Sequence, residues 1–229
     1  LNIVTKKQKL ELTWIGKENR PRLEPRILLE DPSKSYHAPH RVTDNDLFDN
    51  RLIFGDNLLA LKALEQEFAG WMGVKHALFA NSGTAALHMC LVACGCGVGD
   101  EVIVPADTWP SSATCCLHHN IIPVFVDIDW ATMNIDLDKI EAAVTPRTRA
   151  IIAVHLHGLA LDMGRLMAIA RRHNLIVIED CAEAHGSSYR GKKVGTIGHA
   201  GAFSFCQSKH WTTGGEGGMT VTNDEDAAW

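Results

Sequence analysis

The sequence predicts an α/β protein with a mostly parallel sheet and helices on both faces. Two observations lead to this prediction. From residue 71 onward, short apolar runs such as EVIVPA, IPVFVDI and RAIIAV alternate with helical stretches of about ten residues. These runs are continuously apolar and rich in β-branched residues, which is typical of parallel strands covered on both sides.

The predicted elements follow one another along the chain. A charged first part ends in a short strand, RLIFG, and a helix, DNLLALKALEQEFAG, with leucines at helical spacing. The strand HALFA then leads into the helix TAALHMCLVACG, EVIVPA into SSATCCLHHN, IPVFVDI into LDKIEAAV, and RAIIAV into DMGRLMAIARRH; LIVIED, AGAFSF and GMTVTN are further strands. Because ligands of such sheets bind outside the carboxyl ends of the strands, we expect the chemistry in the turns that follow them.

Composition excludes several classes of protein. A net charge of −5 gives no reason to expect nucleic acid or an anionic membrane as partner. No apolar run approaches the ~18 residues of a membrane span, and the first residues lack a signal-peptide pattern. The seven cysteines form no CxxC pair and lie mostly in apolar runs, which predicts reduced thiols, a cytoplasmic protein and no zinc site.

The segment NSGTAAL joins a predicted strand to a predicted helix. Backbone N–H groups at such a helix start form an anion site suited to a phosphate. The alternative is a plain turn in which Ser82 or Thr84 caps the helix. The segment matches neither GxGxxG nor GxxxxGK[ST], so dinucleotide and P-loop binding are not indicated.

Three further residues follow predicted strands. Trp109, after EVIVPA, either stacks on a flat ligand ring or anchors the core. Asp180, at the end of LIVIED, needs a partner if it is buried. It either caps a helix over CAEAH or pairs with a protonated ring nitrogen, which would make the ring an electron sink. Lys209, in SFCQSKHWTTGGEGG, either forms a Schiff base with a bound aldehyde or is a surface lysine before a glycine-rich hairpin.

Two histidines in VHLHG, His155 and His157, have the donor atoms of metal ligands. No carboxylate or cysteine stands at a fitting spacing, which favours core or cofactor-adjacent histidines. A phosphate cradle, a stacking tryptophan, a ring-nitrogen aspartate and a Schiff-base lysine along one α/β chain together predict a pyridoxal phosphate site.

Residues 71–229 resemble the large domain of the DegT/DnrJ/EryC1/StrS sugar aminotransferases. The resemblance rests on NSGTAAL, GDEVIVPADTW, PVFVDID, IEDCAEAHGSSYRGKKVGTIG and AFSFCQSKHWTTGGEGGM, with one extra glycine in TTGGEGG. It implies a fold-type-I enzyme that moves an amino group from glutamate or glutamine onto a keto-sugar, often nucleotide-linked, or a keto-cyclitol. It also implies a homodimer and a smaller C-terminal domain that is missing from this sequence.

Carried over to this sequence, the resemblance gives each matching residue a role. Lys209 would form the internal aldimine with pyridoxal 5′-phosphate and move the substrate proton. Asp180 would bind the pyridinium nitrogen, Trp109 would stack on the ring, and Glu183 would lie near the ring oxygen. The phosphate would be held by Gly83, Thr84 and Ser204.

Residues 1–70 resemble another family, the N-termini of adenine-specific DNA methyltransferases of type III restriction–modification systems, through TWIGKENRPRLEPRILLEDP and DNRLIFGDNLLALKALEQEFAG. The DPPY and FxGxG motifs of that family are missing, so this resemblance implies an inactive segment that is not an independent domain. Its 11 Lys/Arg and 11 Asp/Glu leave no net charge to favour DNA. The sequence thus predicts a chimera joined between Gly70 and Trp71. The alternative functions are a DNA methyltransferase fragment and a cofactor-binding remnant without turnover.

Overall fold

The computed structural model describes residues 57–228. The predicted strand RLIFG and most of the methyltransferase-like segment lie outside the described residues. From Leu61 onward the chain forms one compact unit. The helices of the described residues are α1 (Asn57–Met72), α2 (Gly83–Ala93), α3 (Ser111–Leu117) and α4 (Met163–His173), and the strands are β1 (His76–Ala80), β2 (Glu101–Pro105), β3 (Ile122–Val126), β4 (Thr148–Val154), β5 (Ile176–Asp180), β6 (Ser188–Tyr189), β7 (Lys192–Lys193), β8 (Ala200–Ser204) and β9 (Gly218–Thr222).

Seven strands form one sheet in the order β1-β9-β8-β5-β4-β2-β3, and β6 pairs with β7 in a separate hairpin. All neighbours in the large sheet are parallel except β9, which is antiparallel to both β1 and β8. The predicted mostly parallel sheet is therefore confirmed. The carboxyl ends of the six other strands share one edge, and β9 begins there, because Gly218 pairs with both Ala80 and Ser204.

Helices cover both faces of this sheet, as predicted. Successive strand residues point to opposite faces. Val102 and Val104 of β2 belong to a core cluster with α2 and α3, whereas Ile103 between them belongs to a cluster with α4. In β8, Ala202 faces α2 and Phe203 packs with α1. This two-sided burial explains why the strands lack polar alternation.

One predicted helix, over LDKIEAAV, is wrong. Only one 3₁₀ turn, Glu141–Ala143, forms within LDKIEAAV. The backbone bonds from Lys139 N–H to Asp136 O, at 3.1 Å, and from Ala143 N–H to Ile140 O, at 2.9 Å, are i→i+3 turns rather than the i→i+4 bonds of an α-helix. The chain forms turns over CAEAH, where a helix capped by Asp180 was one of two alternatives, and Asp180 Oδ1 accepts the N–H of Ala182 at 3.1 Å. Asp180 is therefore not a helix cap.

All seven cysteines are free, and five of them are buried. Burial raises the pKa of the Cys96 thiol to about 12 and that of the Cys94 thiol to about 11. The prediction of thiols rather than disulfides is confirmed. In the part of the chain that the structure describes, every helix is too short or too polar to cross a membrane.

Candidate active site

A cavity of about 210 Å³ opens at the carboxyl edge of the sheet. Its walls come from the turns after β1, β2, β5 and β8 and from the last residues of β4 and β8. All seven residues predicted from the sequence line it: Gly83, Thr84, Trp109, Asp180, Glu183, Ser204 and Lys209. The structure thus brings the whole predicted set to one place.

The N-terminus of α2 forms one wall of the cavity. Ser82 has extended backbone and caps the helix, its Oγ accepting the N–H of Ala85 at 3.1 Å. A Cβ at Gly83 would lie 2.7 Å from the Cβ of Ser204, so only glycine lets α2 begin this close to the end of β8. The capping alternative is therefore correct, and it is compatible with an anion site because the helix start still faces the cavity.

Asp180 ends β5 and is 5% exposed. Its Oδ2 accepts the hydroxyl of Ser112 at 2.8 Å, and its Oδ1 accepts the Ala182 N–H. Burial raises the pKa of Asp180 above its ordinary value, while these hydrogen bonds and the positive charge of Lys209 oppose that rise. A buried carboxylate with free space beside it is suited to hold a protonated ring nitrogen.

Lys209 lies in the turn after β8, with its side chain 16% exposed, so it is not a surface lysine. Its Nζ donates to Glu183 Oε1 at 3.2 Å, and Glu183 Oε2 accepts the backbone N–H of His157 at 3.1 Å. Partial burial alone would raise the pKa of Glu183, but these two hydrogen bonds and the nearby charges outweigh it and lower that pKa. The carboxylate therefore stays ionised and fixes the lysine amine within the cavity.

Trp109 lies two residues before the start of α3 and is 69% exposed. The alternative interpretation as a core anchor is wrong, since most of the indole faces outward at the cavity wall. This position leaves the ring available to a ligand.

Sequence reasoning missed three hydroxyl groups that support this wall. The Thr108 and Ser112 hydroxyls lie 3.0 Å apart, and the Thr84 and Ser111 hydroxyls lie 2.6 Å apart. The sequence signal that could have revealed them is TWPSS, whose two serines lie between a predicted strand and a predicted helix, at the edge of the sheet where ligands are expected.

His155 is completely buried, in agreement with the interpretation as a core histidine, but it has neighbours that the sequence spacing did not reveal. One ring nitrogen of His155 and one ligand atom each of Glu179 and Cys181 lie within 4.8 Å of one another. However, His155 Nδ1 accepts the Leu161 N–H at 3.1 Å, and its Nε2 lies 3.0 Å from Glu179 Oε2. The Glu179 carboxylate also accepts three backbone N–H groups, from Gly195, Ile197 and Gly198. These bonds occupy the lone pairs a metal would need, so the cluster is a structural network.

Comparisons with known proteins agree with this geometry. The model of the DegT/DnrJ/EryC1/StrS aminotransferase family matches residues 49–229. GDP-perosamine synthase of Caulobacter vibrioides is 54% identical over 164 residues, covering 72% of this chain and 44% of that protein. L-glutamine:2-deoxy-scyllo-inosose aminotransferase of Streptomyces lividus is 52% identical over 161 residues, covering 70% and 38%.

Solved structures show the same likeness. GDP-4-keto-6-deoxy-D-mannose-3-dehydratase of E. coli, described with bound hydrated PLP, matches with a TM-score of 0.69 at 34% identity, covering 73% of this chain and 44% of that one. The chain spans less than half the length of these three proteins. The family match begins inside the methyltransferase-like segment and gives the methyltransferase alternative no support.

Proposed function

The chain belongs to the DegT/DnrJ/EryC1/StrS aminotransferase family, and on this premise we propose that it is the cofactor-binding part of a pyridoxal-phosphate-dependent sugar aminotransferase. One observation carries the proposal: the amine of Lys209, the carboxylate of Asp180 and the N-terminus of α2 meet in one cavity. An amine, an acid and an anion cradle are the three groups that this cofactor needs.

The residues present fit the cofactor. Gly83 has no side chain, so the first backbone N–H groups of α2 stay accessible beside Ser204, as phosphate binding at a helix start requires. Asp180 is buried yet hydrogen-bonded, and Lys209 is held at 3.2 Å by Glu183. When bound, pyridoxal phosphate supplies an aldehyde that condenses with amines and a ring that withdraws electrons from the adjacent carbon.

Each residue then has a distinct task. Gly83, Thr84 and Ser204 bind the phosphate. Asp180 keeps a proton on the ring nitrogen, because a nearby carboxylate favours the charged form. Trp109 covers the ring and excludes water. Lys209 provides the reacting amine and moves the proton at the substrate carbon, while Glu183 orients its Nζ.

The proposed substrates are a keto-sugar, often nucleotide-linked, or a keto-cyclitol as acceptor, and glutamate or glutamine as donor. The names of the two curated relatives support a sugar or cyclitol acceptor, and one of them names glutamine. We further propose a homodimer in the cytoplasm, with residues 71–229 as the large domain and the boundary near residue 70 still a prediction.

Cofactor binding tests the proposal. The purified chain is titrated with pyridoxal phosphate, reduced with borohydride and digested for mass spectrometry. We expect a visible band in the wild type, its loss on reduction, and a covalent label on the Lys209 peptide. Lys209→Ala should show neither band nor label, whereas Lys192→Ala, which removes an exposed lysine of β7, should behave as wild type. A wild-type spectrum identical to that of the free cofactor would refute cofactor binding.

A further inference from the structure

Ser112 is completely buried at the start of α3, and no role in the proposed chemistry has been assigned to it. We propose that Ser112 is a positioning residue of this site, which fixes the Asp180 carboxylate and ties it to the loop of Trp109. This inference rests on the function proposed above, because it concerns the residue assigned to the ring nitrogen.

The direction of the hydrogen bonds follows from the groups involved. An ionised carboxylate only accepts hydrogen bonds, so the single Ser112 proton is donated to Asp180 Oδ2, at 2.8 Å. The contact between Ser112 Oγ and Thr108 Oγ1, at 3.0 Å, then requires Thr108 to donate. The result is a directed chain from Thr108 through Ser112 to Asp180.

This chain has an electrostatic effect. The groups that face Asp180 are His155 after β4, Lys209 after β8, and the thiols of Cys90, Cys115 and Cys181. Burial acts against the charged carboxylate and raises its pKa, and the hydrogen bond from the Ser112 hydroxyl opposes this rise more strongly than the Ala182 N–H does. Hydrogen bonds to charged groups are shorter and roughly twice as strong as neutral ones. Ser112 therefore helps Asp180 stay ionised at neutral pH.

The chain also has a positional effect. Thr108 directly precedes Trp109, so its bond to Ser112 holds the loop that carries the indole. The neighbouring Ser111 contacts Thr84 at the start of α2, at 2.6 Å. Two adjacent serines of α3 thus contact opposite sides of the cavity: Ser111 contacts the start of α2, and Ser112 holds the Asp180 carboxylate.

A double-mutant cycle tests the Ser112–Asp180 contact without cofactor. Urea unfolding midpoints are measured for the wild type, Ser112→Ala, Asp180→Asn and the double variant at pH 7.5. We expect Ser112→Ala to lower the midpoint clearly in the wild-type background and much less in the Asp180→Asn background, since the charged acceptor is then gone. Equal shifts in both backgrounds would overturn the proposal.

Cofactor affinity provides the second readout. The dissociation constant of pyridoxal phosphate is measured from pH 6 to pH 9 for the wild type, Ser112→Ala and Thr108→Val. Thr114→Ala, an exposed threonine on the same helix, is the matched control. We expect Ser112→Ala to weaken binding by roughly tenfold or more at pH 7, as loss of a hydrogen bond to a charged group implies. The loss should grow as the pH falls, because Asp180 without this donor becomes protonated at a higher pH.

Thr108→Val covers the case in which Ser112→Ala does not fold. It should shift the pH profile in the same direction by a smaller amount, with Thr114→Ala unchanged. A wild-type affinity and pH profile in both Thr108→Val and Ser112→Ala would overturn the inference. Failure of the wild type to bind the cofactor would instead refute the proposed function, and the cycle would still decide whether Ser112 fixes Asp180.

Discussion

At the scale of single residues, close packing at Gly83 leaves no room for any side chain. Its missing side chain lets α2 begin against Ser204, whose Cβ and Oγ would lie 2.7 and 3.1 Å from an added Cβ. We expect Gly83→Ala to destabilise the fold by about 1–3 kcal/mol, as overpacking does, and to abolish cofactor binding. Urea unfolding and cofactor titration measure the two effects.

Gly70→Ala is the matched control for this prediction. Gly70 lies within α1, and an added Cβ would have no atom within 4 Å. Alanine in a helix interior should therefore stabilise the chain by roughly 0.5–1 kcal/mol. If both substitutions changed the free energy of unfolding in the same direction, the packing explanation for Gly83 would be wrong.

His185 makes stability depend on pH. Its ring packs on Phe203 and Trp211, with centroids 5.6 and 5.4 Å away, and its two nitrogens are buried without hydrogen-bond partners among residues 57–228. Burial, followed by the charge of His210, lowers the pKa of His185 to about 4. The unfolded chain takes up this proton near pH 6.5, so it binds more protons than the folded chain between the two values. Stability is therefore lost as the pH falls from about 6.5 to about 4.

We expect His185→Phe to remove this loss while keeping the ring packing. The advantage of the variant over wild type in urea midpoint should grow steadily from pH 7 to pH 4.5. Leu117→Phe, which adds a phenyl ring at an exposed position and removes no titratable group, is the control and should show no such trend. A constant difference between His185→Phe and wild type would show that protonation of His185 does not cause the loss.

At the scale of elements, α4 depends on one aspartate at its start. Asp162 accepts the N–H of Arg165 at 3.1 Å and the hydroxyl of Tyr189 at 2.6 Å, so it caps the helix and ties it to the β6–β7 hairpin. These two bonds, the Tyr189 bond first, hold the pKa of Asp162 below its ordinary value. A lowered folded-state pKa means that the stabilisation is present above about pH 4 and is lost below it.

We expect Asp162→Ala to cost about 1–2 kcal/mol at pH 7, the range found for lost N-caps. The difference from wild type should shrink below pH 4, where Asp162 of the wild type becomes protonated. Asp127→Ala removes a carboxylate that caps no helix and whose pair with Lys139 is exposed and contributes little, so it serves as the control for the size of the effect. A cost that does not change with pH would mean that the charge of Asp162 is irrelevant.

At the scale of the whole molecule, the sequence predicted the elements that depend on local pattern. Continuous apolar runs predicted strands that are buried on both faces, and the turns that follow them. Because those turns lie at the carboxyl edge of the sheet, Lys209, Asp180 and Gly83 were expected there together. The side-chain pairs that sequence analysis missed join distant segments. Ser112 lies 68 residues from Asp180, and Glu179 lies 24 from His155, so no spacing revealed either pair. Over LDKIEAAV, the backbone forms i→i+3 turns although the apolar pattern predicted an α-helix.

Because the cavity joins turns from across the sheet, cofactor binding should stabilise the compact unit as a whole. A ligand that binds only the folded state adds about 2.7 kcal/mol at a concentration 100 times its dissociation constant. We expect pyridoxal phosphate to raise the thermal midpoint in a concentration-dependent way. Lys209→Ala should reduce this shift, and Asp180→Asn should reduce it further at neutral pH, because it also removes the charge that holds the ring nitrogen. Inorganic phosphate alone should give a small shift that both variants retain, since its cradle at α2 is intact in each. If both variants shifted as far as the wild type with pyridoxal phosphate, the cofactor would be bound somewhere other than this cavity.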